Sequence, residues 1–327
     1  MVKMTGLKEP GSPLGSPPPG KGRARSRVRW GFLLLVSVLV YGSHAPLISW
    51  CKIDGQIPFS SSSVVVLIEL AKLLVSIALW TAQDRGGKAG VTLSARGVCP
   101  LAIPALLYAL NNNLVVHMQR HMDPSTFQVL SNLKIASTAV LYTILLHKPL
   151  SLLKWLALFL LMAAGACQTY SGFSSRQEPW TETHLYITMQ GLAMMLVYCT
   201  ISGLSAVFTE RILKSQQLPL NLQNLFLYLF GLLINLGVHL ASSPDGGFFQ
   251  GYSVWVGLII STQALNGLLM SVVMKYDTNI TRLFVISCSM LVNTTLSVCF
   301  FSLQLTPHFL VAVLLVSLAI HLYYRVK

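Results

Sequence analysis

Uncharged apolar runs of membrane-spanning length recur along this chain: Trp30–Cys51, Gly97–Gln119, Trp155–Ser175, Thr183–Thr209, Ser215–Pro244, Gly246–Met274 and Leu283–Tyr324. A helix crosses the roughly 30 Å hydrocarbon core with about 20 apolar residues. Every run clears that length, and the last, interrupted by Gln304, Thr306 and Pro307, is long enough for two spans. Two weaker segments, one carrying Glu69 and Lys72 and the other Lys134, complete a set of ten. The predicted spans are 30–50, 61–82, 98–118, 122–146, 150–170, 185–208, 221–241, 252–274, 280–302 and 306–324. A soluble helical protein would need charged outer faces that these runs lack. The fold class expected is therefore all-α, a polytopic membrane protein of ten transmembrane helices.

Composition agrees: 54% of residues are hydrophobic and 10% charged, against about 25% charged in an ordinary globular chain. The net charge of +13 would suit a nucleic-acid partner if it lay on one face, but seven of the 23 Lys and Arg fall within the first 29 residues and most others lie between spans. With both termini in the cytosol, eighteen of the 23 fall on the cytosolic side, three on the other and two (Lys72 and Lys134) within spans. That bias is an orientation signal, not a nucleic-acid footprint, and it favours ten spans over nine or eleven. Residues 1–29, rich in Gly, Pro, Ser and Arg, read as a disordered basic cytosolic tail rather than a cleavable signal peptide. Five of the six Cys lie in apolar segments without a CxxC pair, so neither a disulfide framework nor a zinc site is indicated. The sequons at Asn279 and Asn293 fall in a cytosolic loop and within a span, where neither should carry glycan.

An internal repeat follows from Ala109-Leu-Asn-Asn-Asn-Leu114 set beside Ala264-Leu-Asn-Gly-Leu-Leu269. Each leads through an apolar stretch to a basic residue, a ring and an Asp: Arg120, His121 and Asp123 in one, Lys275, Tyr276 and Asp277 in the other. The match equates the third span with the eighth, as a five-plus-five duplication requires. An odd number of spans per repeat inverts the second copy, and inverted repeats place a site near the midplane where the halves meet. The domains expected are a first five-helix repeat at 30–170, a lumenal loop at 171–184 and a second five-helix repeat at 185–327. This organisation points to a transporter.

Polar residues within the spans mark the candidate site. Glu69 and Lys72 share one helix face at i, i+3. They read equally as a mutually neutralised structural pair and as a cavity-wall pair able to exchange partners with an anionic solute. Lys134 has no carboxylate in its own span, and an unpaired ammonium there costs about 2.5–3.5 kcal/mol on insertion scales. It fits a site for negative charge. Asn111, Asn112, Asn224, Tyr228, Asn266, Ser271 and Arg282 supply further polar groups. Together they would form a cationic cavity with amides able to read a nucleobase edge, although each alone could join helices.

Other features carry less. His117 and His121 have two-ligand spacing without a third ligand, so no metal is expected. Met162-Ala-Ala-Gly-Ala166 suits close helix packing and leaves a dimer contact open. No Walker loop or nucleophile elbow occurs, and no enzyme activity or cofactor is expected.

The segments Glu69-Leu-Ala-Lys72-Leu-Leu, Tyr108-Ala-Leu-Asn-Asn-Asn-Leu114, Thr126-Phe-Gln-Val129 before Leu133-Lys134-Ile135, Ser202-Gly203 with Glu210, Asn224 with Tyr228, and Ser271-Val-Val-Met-Lys275-Tyr with Asn279-Ile280 give the chain a specific likeness. From about Trp30 to Tyr324 it resembles the nucleotide-sugar transporters of solute carrier family 35, subfamily A. The resemblance implies the drug/metabolite transporter fold, two inverted five-helix repeats, and residence in the Golgi membrane with both termini cytosolic. It also implies exchange of a cytosolic nucleotide sugar, UDP- or CDP/CMP-linked, for a lumenal nucleoside monophosphate. By position, Lys134, Asn112, Asn224, Tyr228, Ser271 and Arg282 would contact the nucleotide. Glu69, Lys72, Tyr108, Asn111 and Phe127 would line the cavity or gate. Three departures touch the implied site: Phe127 for the family's Tyr, Ser131-Asn132 for Tyr-Gln, and Arg282 for Lys. The alternatives are a scaffold that assembles Golgi transporters or glycosyltransferases, and an exporter of another anionic metabolite. A homodimer or a complex with other Golgi transporters is left open.

Overall fold

The structure is a computed structural model, and it describes residues 21–53, 57–84, 95–118, 121–122, 124–174, 187–216, 218–242, 247–301 and 306–325. Most of the tail at 1–29, the greater part of the loop at 171–184, and Arg85, Lys88, Arg120, Asp123 and Arg176 lie outside the described residues. Thirteen α-helices and two 3-10 turns follow one another, with no strand among the described residues. They are α1 (Lys21–Gly42), α2 (His44–Cys51), α3 (Ser61–Asp84), α4 (Ala95–Val98), α5 (Ala102–Met118), α6 (Pro124–Leu130), α7 (Lys134–Leu146), α8 (Leu152–Ser174), α9 (Met189–Ser215), α10 (Leu220–Ser242), α11 (Val254–Tyr276), α12 (Asn279–Phe301) and α13 (Pro307–Arg325). Nine helical stretches among the described residues are long and apolar enough to cross a bilayer. The 17-residue α5, entered through α4 and a 3-10 turn, occupies the place of the remaining predicted span. Numbered as spans, α1–α2 is span 1, α3 span 2, α4–α5 span 3, α6–α7 span 4, and α8 to α13 spans 5 to 10.

The breaks within spans 1, 3 and 4 have local causes. Pro46 cannot donate to the carbonyl four residues back, and the helix interrupts at Ser43 just before it. Pro100 and Pro104 remove two donors at the entry of span 3, which opens as a 3-10 turn over Cys99–Leu101. In span 4, Ser131 Oγ donates to the Gln128 carbonyl (2.8 Å), while Asn132 Nδ2 donates to those of Gln128 (3.2 Å) and Val129 (3.1 Å). Such side chains compete with the backbone ladder, and Ser131–Leu133 tightens to 3-10 immediately before Lys134. Asn132 also explains the small-residue stretch: a Cβ on Gly165 would lie 2.2 Å from Asn132 Oδ1. That glycine packs span 5 against span 4 and faces inward.

Span 6 starts at Met189 and runs to Ser215, later and longer than the predicted 185–208, so Arg211 and Lys214 are helical rather than loop residues. Thr188 caps it, its hydroxyl accepting from the Gly191 amide at 3.0 Å. Glu210, fully buried, accepts from the Asn279 amide (2.6 Å) at the start of α12 and from Lys214 Nζ (2.6 Å). Lys214 also donates to the Asp277 carbonyl and Lys275 to that of Leu213. This cluster fixes the short turn between spans 8 and 9. Asn279, one of the two sequon residues, is fully buried beneath it.

Helix neighbours are ordered in a regular way. Spans 5 and 10 pack together, as do 2 and 7; contacts of 4 with 6, 3 with 6, and 3 with 7 are matched by 9 with 1, 8 with 1, and 8 with 2. Each contact becomes its partner when every span is exchanged for the one five places away. Spans 4, 5, 9 and 10 share the largest apolar core, around Leu158, Leu161, Ile280 and Phe284. At one end of α3, Ser62 Oγ lies 2.8 Å from His239 Nδ1, Ser63 Oγ lies 3.0 Å from Tyr252 OH, and Gly251 (φ +73°) presses on the Pro58 carbonyl. At the other end Asn221 donates to Gln83 Oε1 (3.1 Å), and Gln216 donates to the Gly97 carbonyl (2.6 Å). These two sets of ties also exchange under the five-span shift.

Candidate functional site

The helical stripe Asn266, Gly267, Met270, Ser271 and Met274 puts one face of span 8 on a central cavity of about 230 Å³. Spans 1, 2, 3, 6, 7 and 9 supply the other walls, through Tyr41, Glu69, Lys72, Tyr108, Asn112, Thr209, Tyr228, Asn235 and Arg282 among others. Spans 4, 5 and 10 stand outside it.

Two chemically different regions share this space. In the first, Lys72 Nζ donates to Glu69 Oε1 at 2.5 Å, with side chains only 12% and 16% exposed. The ammonium also lies over the Tyr228 ring, 4.6 Å from its centre. Two glycines make room for this pair: a Cβ on Gly231 would meet Glu69 Oε2 at 2.9 Å, and one on Gly267 would meet Lys72 Cδ at 2.7 Å. The pair is internally neutral. Tyr228 OH donates to the Gly267 carbonyl (3.2 Å), and Asn224 Nδ2 donates to Ser271 Oγ (2.8 Å), which donates onward to the Leu268 carbonyl (2.8 Å).

In the second region, Arg282 reaches the cavity from the first turn of α12 and donates to Tyr108 OH at 3.3 Å. Its Nε is buried without a hydrogen-bond partner, and among the described residues it has no ion pair. The buried carboxylates nearby are committed, Glu69 to Lys72 and Glu210 to Lys214 and the Asn279 amide. Arg282 therefore brings an uncompensated positive charge to the wall, where it can hold an acidic group in a two-pronged contact.

Among the residues singled out from sequence, the fold brings Glu69, Lys72, Tyr108, Asn112, Tyr228, Ser271 and Arg282 onto this wall, and the last is not a loop charge as the orientation count placed it. Asn224, 2% exposed, stands behind Ser271 and orients its hydroxyl. Lys134, expected to contact the nucleotide, and Asn111 and Phe127, expected at the cavity or gate, are not among the residues that line this cavity. Lys134 opens α7 at the 3-10 break, half-buried and without an acid partner among the described residues, within electrostatic reach of Arg282 and the Cys199 thiol. Phe127 stacks edge-on against Tyr198 at 5.6 Å in an apolar cluster with Met118, Met122 and Met195. Asn111 is 9% exposed, with its Oδ1 unpartnered off the cavity. Tyr41, Thr209, Asn235 and the two glycines were not foreseen. Single polar or small residues inside apolar runs carry no periodic signal, and the facing of helices distant in sequence selects them.

The comparisons with known proteins agree with this architecture. A solved crystal structure at 12% sequence identity superposes with a TM-score of 0.68, over 89% of this chain and 94% of its own, and so shares the fold. Among curated relatives, a Xenopus tropicalis protein called "Probable UDP-sugar transporter protein SLC35A4" is 54% identical over 95% of this chain and 98% of its own length. Proteins of the same name from Danio rerio and Homo sapiens are 56% and 50% identical, over 91% and 94% of this chain and 94% and 97% of theirs. The sequence profile described as "Nucleotide-sugar transporter" matches residues 32–324, nearly the whole helical body. The chain belongs to the nucleotide-sugar transporter family, whose members are transporters and not enzymes.

Proposed function

We propose that this protein exchanges a cytosolic nucleotide sugar, pyrimidine-linked through UDP or CMP, for a lumenal nucleoside monophosphate across the Golgi membrane. In this reading the chain is two inverted five-helix repeats with both termini in the cytosol. The five-span exchange of helix neighbours supports the repeat, and the bias of Lys and Arg supports the orientation. The ties at opposite ends of α3 are the contacts that would break alternately. The carrying observation is the cavity's charge balance: Glu69 and Lys72 cancel, and Arg282 is left without an acid. A phosphate compensates that charge from either side of the membrane. The loaded carrier then reorients more readily, because a ligand shifts the two states by its differential affinity. Tyr228, Ser271, Asn112 and the supporting Asn224 would frame the nucleotide, with Lys134 adding positive potential from behind the wall.

The test is a thermal-shift screen of UMP, CMP, GMP, AMP and their sugar conjugates on detergent-purified protein, followed by counterflow in proteoliposomes. Stabilisation by uridine or cytidine nucleotides and exchange of labelled UMP for a UDP-sugar are the expected results. The scaffold reading is the second, favoured by Phe127 and Lys134 standing off the cavity. Silence to every nucleotide in both assays would select it.

A further inference from the structure

Asn266 lines the cavity from span 8, is 7% exposed, and keeps its Oδ1 buried without a hydrogen-bond partner. A buried amide oxygen without a partner is unfavourable, so this side chain is poised for a partner the protein does not supply. Its place along the cavity says which part of a solute that partner is. The next residue, Gly267, packs against the Lys72 stem and accepts from Tyr228 OH through its carbonyl, which puts Asn266 at the Glu69–Lys72 end. Arg282 sits one turn into α12, and Asp277–Thr278 form the short turn back to α11, so Arg282 is level with about Val273–Met274. Asn266 lies two turns further along α11, roughly 10 Å away at 1.5 Å per residue.

A phosphate at Arg282 therefore leaves the far end of a nucleotide sugar in a corner where the charges cancel. What remains there is a dense set of hydrogen-bonding groups: the Glu69 carboxylate, the Lys72 ammonium, and the amides of Asn235 and Asn266. Such a corner suits a neutral, polyhydroxylated group. We infer that Asn266 is a specificity-determining residue that hydrogen-bonds the glycosyl hydroxyls of the transported nucleotide sugar. Rotation of its amide about χ2 lets it donate to one hydroxyl or accept from another, which fits it to distinguish sugars that differ at a single carbon. The inference rests on the exchanger reading above.

The experiment compares dissociation constants of UMP, UDP, UDP-galactose and UDP-N-acetylglucosamine for purified wild type, Asn266→Ala, Asn266→Gln and Arg282→Gln. Asn266→Ala should weaken the two UDP-sugars five- to tenfold more than UDP. Asn266→Gln, which keeps the amide but extends it, should alter the ratio between the two sugars. A loss shared equally by UDP and the UDP-sugars would overturn the assignment, as would a loss shared equally by UMP, which would make Asn266 a nucleoside contact. Arg282→Gln tests the underlying reading separately: undiminished UDP binding by that variant, or no nucleotide binding by wild type, refutes the exchanger and this assignment with it. Wild-type binding with an unchanged UDP-sugar to UDP ratio in Asn266→Ala refutes only the sugar contact.

Discussion

Arg282→Met should stabilise the empty protein while destroying its response to nucleotides. Arg282 lies in the first turn of α12 without an acid partner among the described residues, and an unpaired arginine costs at most about 2.5–3.5 kcal/mol, the insertion-scale value for a helix centre. Methionine keeps much of the side-chain volume and removes that cost. The loss to set against it is the 3.3 Å hydrogen bond to Tyr108 OH, worth about 0.5–1.5 kcal/mol. Tyr108 lines the cavity, so its hydroxyl can turn to water once the guanidinium is gone. The balance is a net gain of at most about 1–3 kcal/mol for the empty carrier, read as a raised melting temperature in detergent. Truncating one member of a buried charge pair costs about 2–5 kcal/mol in binding, so UMP affinity should fall by about 30-fold or more. Melting curves with and without UMP measure both quantities at once. A variant that melts earlier when empty, yet still gains stability from UMP, would refute the claim that Arg282 is strained until an anion arrives.

Gly267→Ala would drive a methyl group into the Lys72 stem, where the Cβ would lie 2.7 Å from Cδ; it should displace the ammonium from Glu69 and lower both melting temperature and exchange rate, whereas wild-type values for both would show the glycine to be incidental. Gly165→Ala meets Asn132 Oδ1 at 2.2 Å and should destabilise by about 1–3 kcal/mol as an overpacked site; Asn132→Ala in the same chain should recover most of the loss in thermal unfolding, and an equal loss in both backgrounds would contradict the contact. Glu210→Ala leaves the first turn of α12 without its acceptor and Lys214 with only the Asp277 carbonyl, a change worth at most about 3–5 kcal/mol, the value for a fully buried pair. Glu210→Gln, which keeps a capping oxygen, should melt between that variant and wild type, and the reverse order would discount the cap.

The long apolar spans were legible because the bilayer imposes a length and a composition on every crossing helix, whatever its neighbours. The i, i+3 placement of Glu69 and Lys72 was legible for a similar reason, since helix geometry alone puts them on one face. Their meaning was not: both a structural pair and a cavity wall fitted the sequence, and the glycines of spans 7 and 8 with the ring of Tyr228 show a pinned pair on the cavity wall. Lys134 shows the limit most clearly. Its charge and its lack of a local carboxylate are sequence properties, but the 3-10 turn that Ser131 and Asn132 induce sets the direction in which its helix begins.

By itself, then, the chain's order of apolar and charged residues settled the all-helical class and the near-complete set of spans. It also settled that cationic groups must be accommodated among them, because the cost of exposing backbone or charge to lipid acts on each segment separately. Which of those groups meet was decided only by tertiary packing. Arg282 finds Tyr108 174 positions earlier, and Lys72 finds Tyr228 and Gly267 across two other spans. Close contact between helices depends on matched surfaces far apart in the chain, and no local pattern encodes that match.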